Sequence, residues 1–503
     1  MHVHWSDPVF YALISIYALA VYNCIKVLGN RTSAGASIAW ILLHLTVPYV
    51  AVPLYYLLGD FRIRGYVRRH RAAQQRIDDT GVSPLLEAAP KTSDLAPSLQ
   101  TNYHSFHHVF RQFGSAFVPQ HGDVELLVDG QATFKAIFAA ISSAKSYIIV
   151  QYYIVRSDRL GLELKRLLSE RAKQGITVYM LYDDMGSFWL SRKYIRDLRK
   201  AGVKVERFLP ITGFKRAFQV NFRNHRKLVV VDGQVAFTGG LNIGEEYAAK
   251  RSIKLRQRYW RDTHLRLTGG LVAQMEDVFF EDWYFSTKEL IDLAQLDTTS
   301  GKRPKLAMAK PSQQPVAARP PRKVLQLIPT GPTDATVISL LFVIQMINAA
   351  KVRLWIATPY LVPDSSLIRA LELAALRGVD VRLMIPRTSD SLVMQWVSIS
   401  YAKEMKSRGI QILLYVKGFM HQKVFLVDHG LAAIGTMNVD NRAMFLNFEM
   451  MVLIHDEAFN QQVAEMLQTD FSTCRPLTRK TGRFRRYLET LRGNAASLLA
   501  PML

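Results

Sequence analysis

At 503 residues the chain is long enough for two or three domains with their own cores, and a hydrophobic content of 49% excludes a disordered polymer. Lys and Arg outnumber Asp and Glu by 64 to 41, a formal charge of +23, which points to polyanions: nucleic acid, an anionic lipid surface or phosphorylated substrates. The two cysteines, Cys24 and Cys474, stand near opposite ends of the chain and exclude a disulfide framework or a thiolate metal cluster.

The first element is an apolar run from Val9 to Leu28, interrupted only by Ser15, Asn23 and Lys26. A short polar turn follows, and a second apolar run extends from Ile38 to Leu58. At helical rise each run is about 30 Å long, one hydrocarbon thickness. Pro48 and Pro53 in the second run are better tolerated in a membrane helix than in a soluble one. The first run lacks the basic leader and small-residue cleavage site of a signal peptide. Residues 1–60 are therefore expected to form a transmembrane helical hairpin. Arg62, Arg64, Arg68, Arg69, Arg71 and Arg76 follow the second run, against Arg31 in the turn. The positive-inside rule then places the bulk of the chain in the cytoplasm, with these arginines beside anionic headgroups.

Residues 61–118 read as a basic juxtamembrane segment and tether, with Pro84, Pro90 and Pro97 and no clear periodicity. Strands and helices then alternate. Val124–Val128 is a strand, Thr133–Ser142 a helix, Tyr147–Ile154 a strand, Leu162–Gln174 a helix and Ile176–Tyr182 a strand. The order returns about two hundred residues later: strand Val324–Ile328, helix Val337–Ala350, strand Arg353–Leu361, helix Ser366–Arg377, strand Val379–Ile385. Residues 297–323 between them have linker composition. The expected fold is α/β: two duplicated domains, residues 119–296 and 324–474, each a mostly parallel sheet flanked by helices. A basic tail, residues 475–503, suits either an interfacial helix or a solvated segment.

Each half carries the same constellation. His225, Lys227, Asp232, Gly239 and Asn242 match His421, Lys423, Asp428, Gly435 and Asn438, at offsets of +2, +7, +14 and +17 from each histidine. On a strand, residues i and i+2 share a face, so each His and Lys point together into a site while the apolar residues between Lys and Asp enter the core. A lysine ammonium and an asparagine amide bind phosphate oxygens; an imidazole attacks phosphorus or moves a proton near neutral pH. Two other clusters, His104/His107/His108 and Asp183/Asp184, read more simply as surface histidines and loop carboxylates, so no metal site is expected.

These paired motifs resemble the HxKxxxxD motifs of the phospholipase D superfamily, over residues 120 to 475. The two-run N-terminus, Gly240-Leu-Asn-Ile-Gly-Glu-Glu-Tyr, Tyr259-Trp-Arg-Asp-Thr-His-Leu-Arg-Leu and Asn438-Val-Asp-Asn-Arg-Ala-Met-Phe-Leu-Asn-Phe-Glu449 are similar to cardiolipin synthases. The resemblance implies a phosphatidyltransferase of a bacterial inner membrane, acting on phosphatidylglycerol among anionic lipids, with no cofactor, metal or nucleic acid. It implies one shared site in which His225 is the nucleophile and His421 the acid/base. Lys227, Lys423, Asn242 and Asn438 would hold the phosphate, while the motif aspartates Asp232 and Asp428 would position rather than carry protons. A nucleophilic imidazole also needs a carboxylate on its other nitrogen. Asp262 and Glu449, each at the start of an apolar strand, fit, with the pairing left open because it could cross between halves. A phospholipase D or a phosphatidyltransferase with another acceptor alcohol is the alternative.

Overall fold

A computed structural model describes residues 8–29, 34–56, 90–209, 221–248, 260–291, 323–334, 336–477, 492–493 and 496. The chain divides into two units, one of residues Met1–Tyr66 with Ile211–Phe222, the other of Val67–Pro210 with Arg223–Leu503.

The first unit holds helices α1 (Pro8–Gly29), α2 (Ala34–Thr46) and α3 (Pro48–Leu54). Of the described helices, α1 is long and apolar enough to cross a membrane, with a mean hydropathy of 1.7 over Phe10–Gly29. The second expected span is broken. Val47 leaves the helical region (φ −139°, ψ 62°) because Pro48 follows it, crowding the preceding residue out of the α conformation and bringing no amide hydrogen of its own. Two shorter helices of 13 and 7 residues result. His44 joins α2 to α1: its Nδ1 donates to the Trp40 carbonyl at 2.7 Å, leaving Nε2 to accept from Asn23 Nδ2 at 3.2 Å. Arg31 and the arginines at 62–76 lie outside the described residues.

The second unit begins with part of the expected tether, which is a packed helix, α4 (Pro97–Phe110). Its buried face is Leu99, Tyr103, Phe106 and Phe110, a helical stripe. Phe106 and Phe110 enter the same core as Phe342. Pro97 sits at the first turn, where a missing N–H is harmless. The aromatic stripe outweighs the prolines that suggested a loose connection.

The first half runs β1 (Gln120–Val128), α5 (Asp129–Ser142), β2 (Tyr147–Tyr152), α6 (Arg159–Lys173), β3 (Thr177–Asp183), α7 (Arg192–Lys200), β4 (Lys204–Phe208), β5 (Arg223–Asn224), β6 (Leu228–Val231), β7 (Val235–Gly239), α8 (Glu245–Ala248), β8 (Trp260–Arg261), β9 (Thr263–Gly269) and α9 (Leu271–Thr287). The second runs β10 (Lys323–Thr330), α10 (Ile338–Ala349), β11 (Arg353–Ala357), β12 (Leu361–Val362), α11 (Ser365–Leu376), β13 (Asp380–Pro386), α12 (Leu392–Ser407), β14 (Gln411–Tyr415), β15 (Phe419–Met420), β16 (Val424–Val427), β17 (Leu431–Gly435), β18 (Val439–Asp440), α13 (Asn441–Phe445), β19 (Asn447–His455), α14 (Glu457–Ser472) and β20 (Cys474–Pro476).

One sheet passes through both halves. From its centre, where β1 and β10 pair antiparallel (Gln120 opposite Leu325), the order outward is β9-β7-β6-β2-β3-β4 on one side and β19-β17-β16-β11-β13-β14 on the other. The sheet is mixed rather than mostly parallel. Along this order parallel pairing is confined to β2–β3–β4 and β11–β13–β14, where helices make the crossovers; the two-residue strands β5, β8 and β12 also pair parallel, with β19, β15 and β18. The motif strands are hairpins, β6–β7 and β16–β17, and hairpins pair antiparallel. Asp232 and Gly233, with φ of 54° and 63°, are the central residues of the turn in the first of them, which the Gln234 amide closes on the Val231 carbonyl at 3.0 Å in a three-residue connection.

Candidate active site

Each histidine enters on a short strand held by the other half. β5 pairs with Asn447 and Phe448 of β19, and the His225 amide donates to the Phe448 carbonyl at 2.9 Å. β15 pairs with β8, and the His421 amide donates to the Arg261 carbonyl at 2.8 Å. In each partner strand the next residue is a carboxylate, Glu449 after Phe448 and Asp262 after Arg261. The pairings that the sequence left open are therefore crossed. His225 Nδ1 donates to Glu449 Oε2 at 2.9 Å, and His421 Nδ1 donates to Asp262 Oδ2 at 2.7 Å. An ionised carboxylate only accepts, so the proton sits on Nδ1 and Nε2 is left with its lone pair for chemistry.

Histidine and lysine do not share a strand face as expected: residues 225–227 and 421–423 lie between β5 and β6 and between β15 and β16. Lys227 and Lys423 are fully buried, and each Nζ donates to the carbonyl of its own motif histidine at 2.6 Å. Lys423 Nζ also lies 2.9 and 3.0 Å from the two ring nitrogens of His421. The residue between His and Lys ties each motif to a buried aspartate: Arg226 to Asp282 on α9 at 2.8 Å, Gln422 to Asp470 on α14 at 3.1 Å. Asp470 further receives Arg261 of the first half at 2.8 and 3.0 Å, so the two half-sites share one polar scaffold.

Burial governs the charge states. It pushes Lys227 down to about 7 and Lys423 down to about 8, with the carboxylates opposing both falls and Lys423 adding its repulsion to the fall of Lys227. Burial holds His225 down to about 4 against the pull of Glu449, and with Lys423 and Lys227 it holds His421 well below its usual value. Asp262 is raised to about 6 by burial, with Lys423 opposing. Glu449 moves the other way: burial would raise it, but His225 and Lys227 outweigh that. At neutral pH the site thus holds neutral imidazoles, ionised carboxylates and two crowded lysines, an arrangement that gains from an entering anion.

The remaining expected residues divide. Asn242 donates to the Tyr247 hydroxyl at 2.8 Å and accepts from the Ile154 amide at 3.2 Å; Asn438 donates to Asp440 at 3.0 Å. Each amide has a second N–H to offer. Asp232 and Asp428, grouped with the catalytic residues by motif, belong to the scaffold. Asp232 accepts from the amides of Lys145, Ser146 and Tyr147, and Asp428 from those of Lys351, Val352 and Arg353. Five residue steps from the motif lysine put each roughly 16 Å along the strand from it. Asp183, set aside as a metal ligand, fixes β5 by accepting from the Asn224 amide at 3.0 Å.

Sequence reasoning missed several neighbours. Thr436 donates to Glu449 Oε2 at 2.6 Å and Asn447 to its Oε1 at 3.1 Å. Tyr153 meets the His225 ring edge-on, with centroids 5.0 Å apart. Around His421 stand Trp260, Phe419, Tyr247 and Tyr360, at 5.3, 5.7, 5.9 and 6.5 Å. Comparing the motifs two residues further upstream would have exposed part of this, since Arg223 precedes His225 where Phe419 precedes His421.

Two histidine–lysine half-sites, joined through a duplicated mixed sheet and oriented by exchanged carboxylates, define a phosphoryl-group transferase of the phospholipase D kind. A family profile described as "Cardiolipin synthase, PLD-like domain" matches residues 137–253 and 343–471, once in each half. Cardiolipin synthase A of Pseudomonas fluorescens (strain SBW25) is 37% identical over 98% of both chains. Cardiolipin synthase A of Pseudomonas aeruginosa (strain LESB58) is 39% identical over 98% of this chain and 95% of its own. Phosphatidylserine synthase from Haemophilus influenzae Rd KW20 shares the fold, with a TM-score of 0.58 at 15% identity over 80% of this chain and 100% of that one. The chain belongs to the cardiolipin synthase family.

Proposed function

We propose that the chain moves a phosphatidyl group from one phosphatidylglycerol to another, yielding cardiolipin and glycerol. The observation that carries this reading is the crossed pair of dyads, His225–Glu449 and His421–Asp262, around two buried lysines. His225 Nε2 bonds to phosphorus as the P–O bond to the glycerol headgroup breaks, and that oxygen leaves with a proton from His421. The hydroxyl of a second phosphatidylglycerol then gives its proton to His421 as its oxygen bonds to phosphorus and the P–N bond breaks. His421 acquires the first proton with the substrate: the negative charge of the phosphodiester opposes Lys423 and Lys227, which together with burial keep the imidazole neutral. Lys227 and Lys423, with the spare amide hydrogens of Asn242 and Asn438, hold the non-bridging oxygens.

The apolar α1 supports integral membrane attachment, and the second apolar run supports a second span despite its break at Val47. The arginines at 62–76 support a cytoplasmic catalytic body in a bacterial inner membrane. Incubation with pure phosphatidylglycerol and mass spectrometry of the lipids tests the reaction. Cardiolipin with equimolar glycerol is expected; phosphatidic acid alone would make the protein a hydrolase.

A further inference from the structure

The two dyads are built alike but housed differently. Two residues before His225 stands Arg223, and two before Glu449 stands Asn447; the matched positions before His421 and Asp262 hold Phe419 and Trp260. Phe419 and Trp260 pack at 4.6 Å, Tyr247 and Trp260 at 4.5 Å, and Tyr360 closes the far side at 6.3 Å from Phe419. The hydroxyls of the two tyrosines are engaged elsewhere: that of Tyr247 accepts from Asn242 at 2.8 Å, and that of Tyr360 donates to Asp390 at 2.8 Å. Apart from Asp262 and Lys423 at its nitrogens, what surrounds the His421 imidazole among the described residues is therefore aromatic, contributed by both halves.

A water molecule fixed beside an imidazole needs two or more further polar partners to hold it. The ring carbons offer none, and Lys423 Nζ, 3.0 Å from Nε2, supplies one. An alcohol needs only its hydroxyl on Nε2, because its C–H groups lie favourably on aromatic faces. We infer that the Tyr247–Trp260–Tyr360–Phe419 enclosure decides between alcohol and water as acceptor, seating the glycerol group of the incoming lipid against His421 and denying water a hydrogen-bonded place there. The inference rests on the transferase reading above. In the second step water would deliver its oxygen to phosphorus and its proton to His421, releasing phosphatidic acid, whereas the lipid hydroxyl delivers cardiolipin. Both products come from one intermediate, so their ratio is independent of how much enzyme is folded.

The test is that ratio, measured for the full chain with phosphatidylglycerol vesicles. Trp260→Ala and Phe419→Leu should raise phosphatidic acid relative to cardiolipin by on the order of tenfold, and Trp260→Phe, which keeps a ring, by much less. Parallel loss of both products at an unchanged ratio in both graded variants would overturn the enclosure while leaving the transferase reading intact. If the wild type itself released mainly phosphatidic acid, both readings would fall together.

Discussion

Gly240 has no side chain because Asp262 fills its place: a Cβ there would lie 2.0 Å from Asp262 Oδ1. The matched residue in the other half is Thr436, whose hydroxyl donates to Glu449 at 2.6 Å. One carboxylate is seated by an absence and the other by a donor. Gly240→Ala should displace Asp262 from His421, lowering kcat by about a hundredfold with little change in KM, as befits a lost proton-transfer geometry. Thr436→Ser should be nearly silent and Thr436→Val intermediate. Steady-state kinetics at several pH values checks this; an active Gly240→Ala variant with the wild-type pH profile would remove Asp262 from the mechanism.

The two histidines are expected to be essential in different ways. His225→Ala should abolish both cardiolipin synthesis and any acid-labile phosphatidyl-enzyme adduct. His421→Ala should lower turnover by about a hundredfold or more, yet still trap an adduct from a phosphatidyl ester whose leaving group needs no proton. Radiolabelled adducts resolved under denaturing conditions distinguish them. The reverse pattern would exchange the roles.

Asp428 is expected to matter for stability alone. Its carboxylate caps three amides at the start of β11 from a left-handed conformation (φ 47°). Asp428→Ala leaves those donors without their acceptor and should cost about 1–3 kcal/mol. Asp428→Asn, which tolerates that backbone and keeps one acceptor oxygen, should cost less. Denaturant titration measures the difference, while adduct formation per folded molecule should stay unchanged. A direct loss of adduct formation in fully folded Asp428→Asn would return this residue to the chemistry.

His455 predicts a pH dependence. It is buried against Tyr103 and Phe106, and burial holds its imidazole down to about 3. Between that value and the ordinary one near 6.5, the unfolded chain binds a proton that the folded chain refuses. Stability is therefore lost as pH falls through this window, by about 2 kcal/mol at pH 5 from this residue alone. His455→Phe should remove that increment, so the variant loses less stability than wild type between pH 7 and 5. Equal losses would mean that His455 takes up a proton in place.

Much of this was legible in the sequence because it follows from short-range rules. The spacing from His225 to Asp232 and from His421 to Asp428 is a short apolar strand flanked by polar ends, and β6 and β16 lie there. What sequence could not supply was partnership at long range. Glu449 lies 224 residues from His225, and no periodicity says that β5 pairs with β19 rather than with its own half. The α4 stripe was hidden by prolines, although Leu99, Tyr103, Phe106 and Phe110 follow helical spacing. The break at Val47 was hidden by composition, since Pro48 is a local geometric event inside an apolar run. The aromatic enclosure of His421 was hidden for a third reason: Trp260 and Phe419 look like core residues until they are compared with Asn447 and Arg223.

The exchange of carboxylates between halves has a historical reading. Two identical half-chains assembled about a true twofold axis would give both histidines the same carboxylate and the same neighbours, and any mutation would strike both at once. Once the halves are joined in one polypeptide, each copy drifts separately. Glutamate with a threonine beside it in one place, and aspartate against a bare glycine in the other, is a divergence that two identical chains could not show.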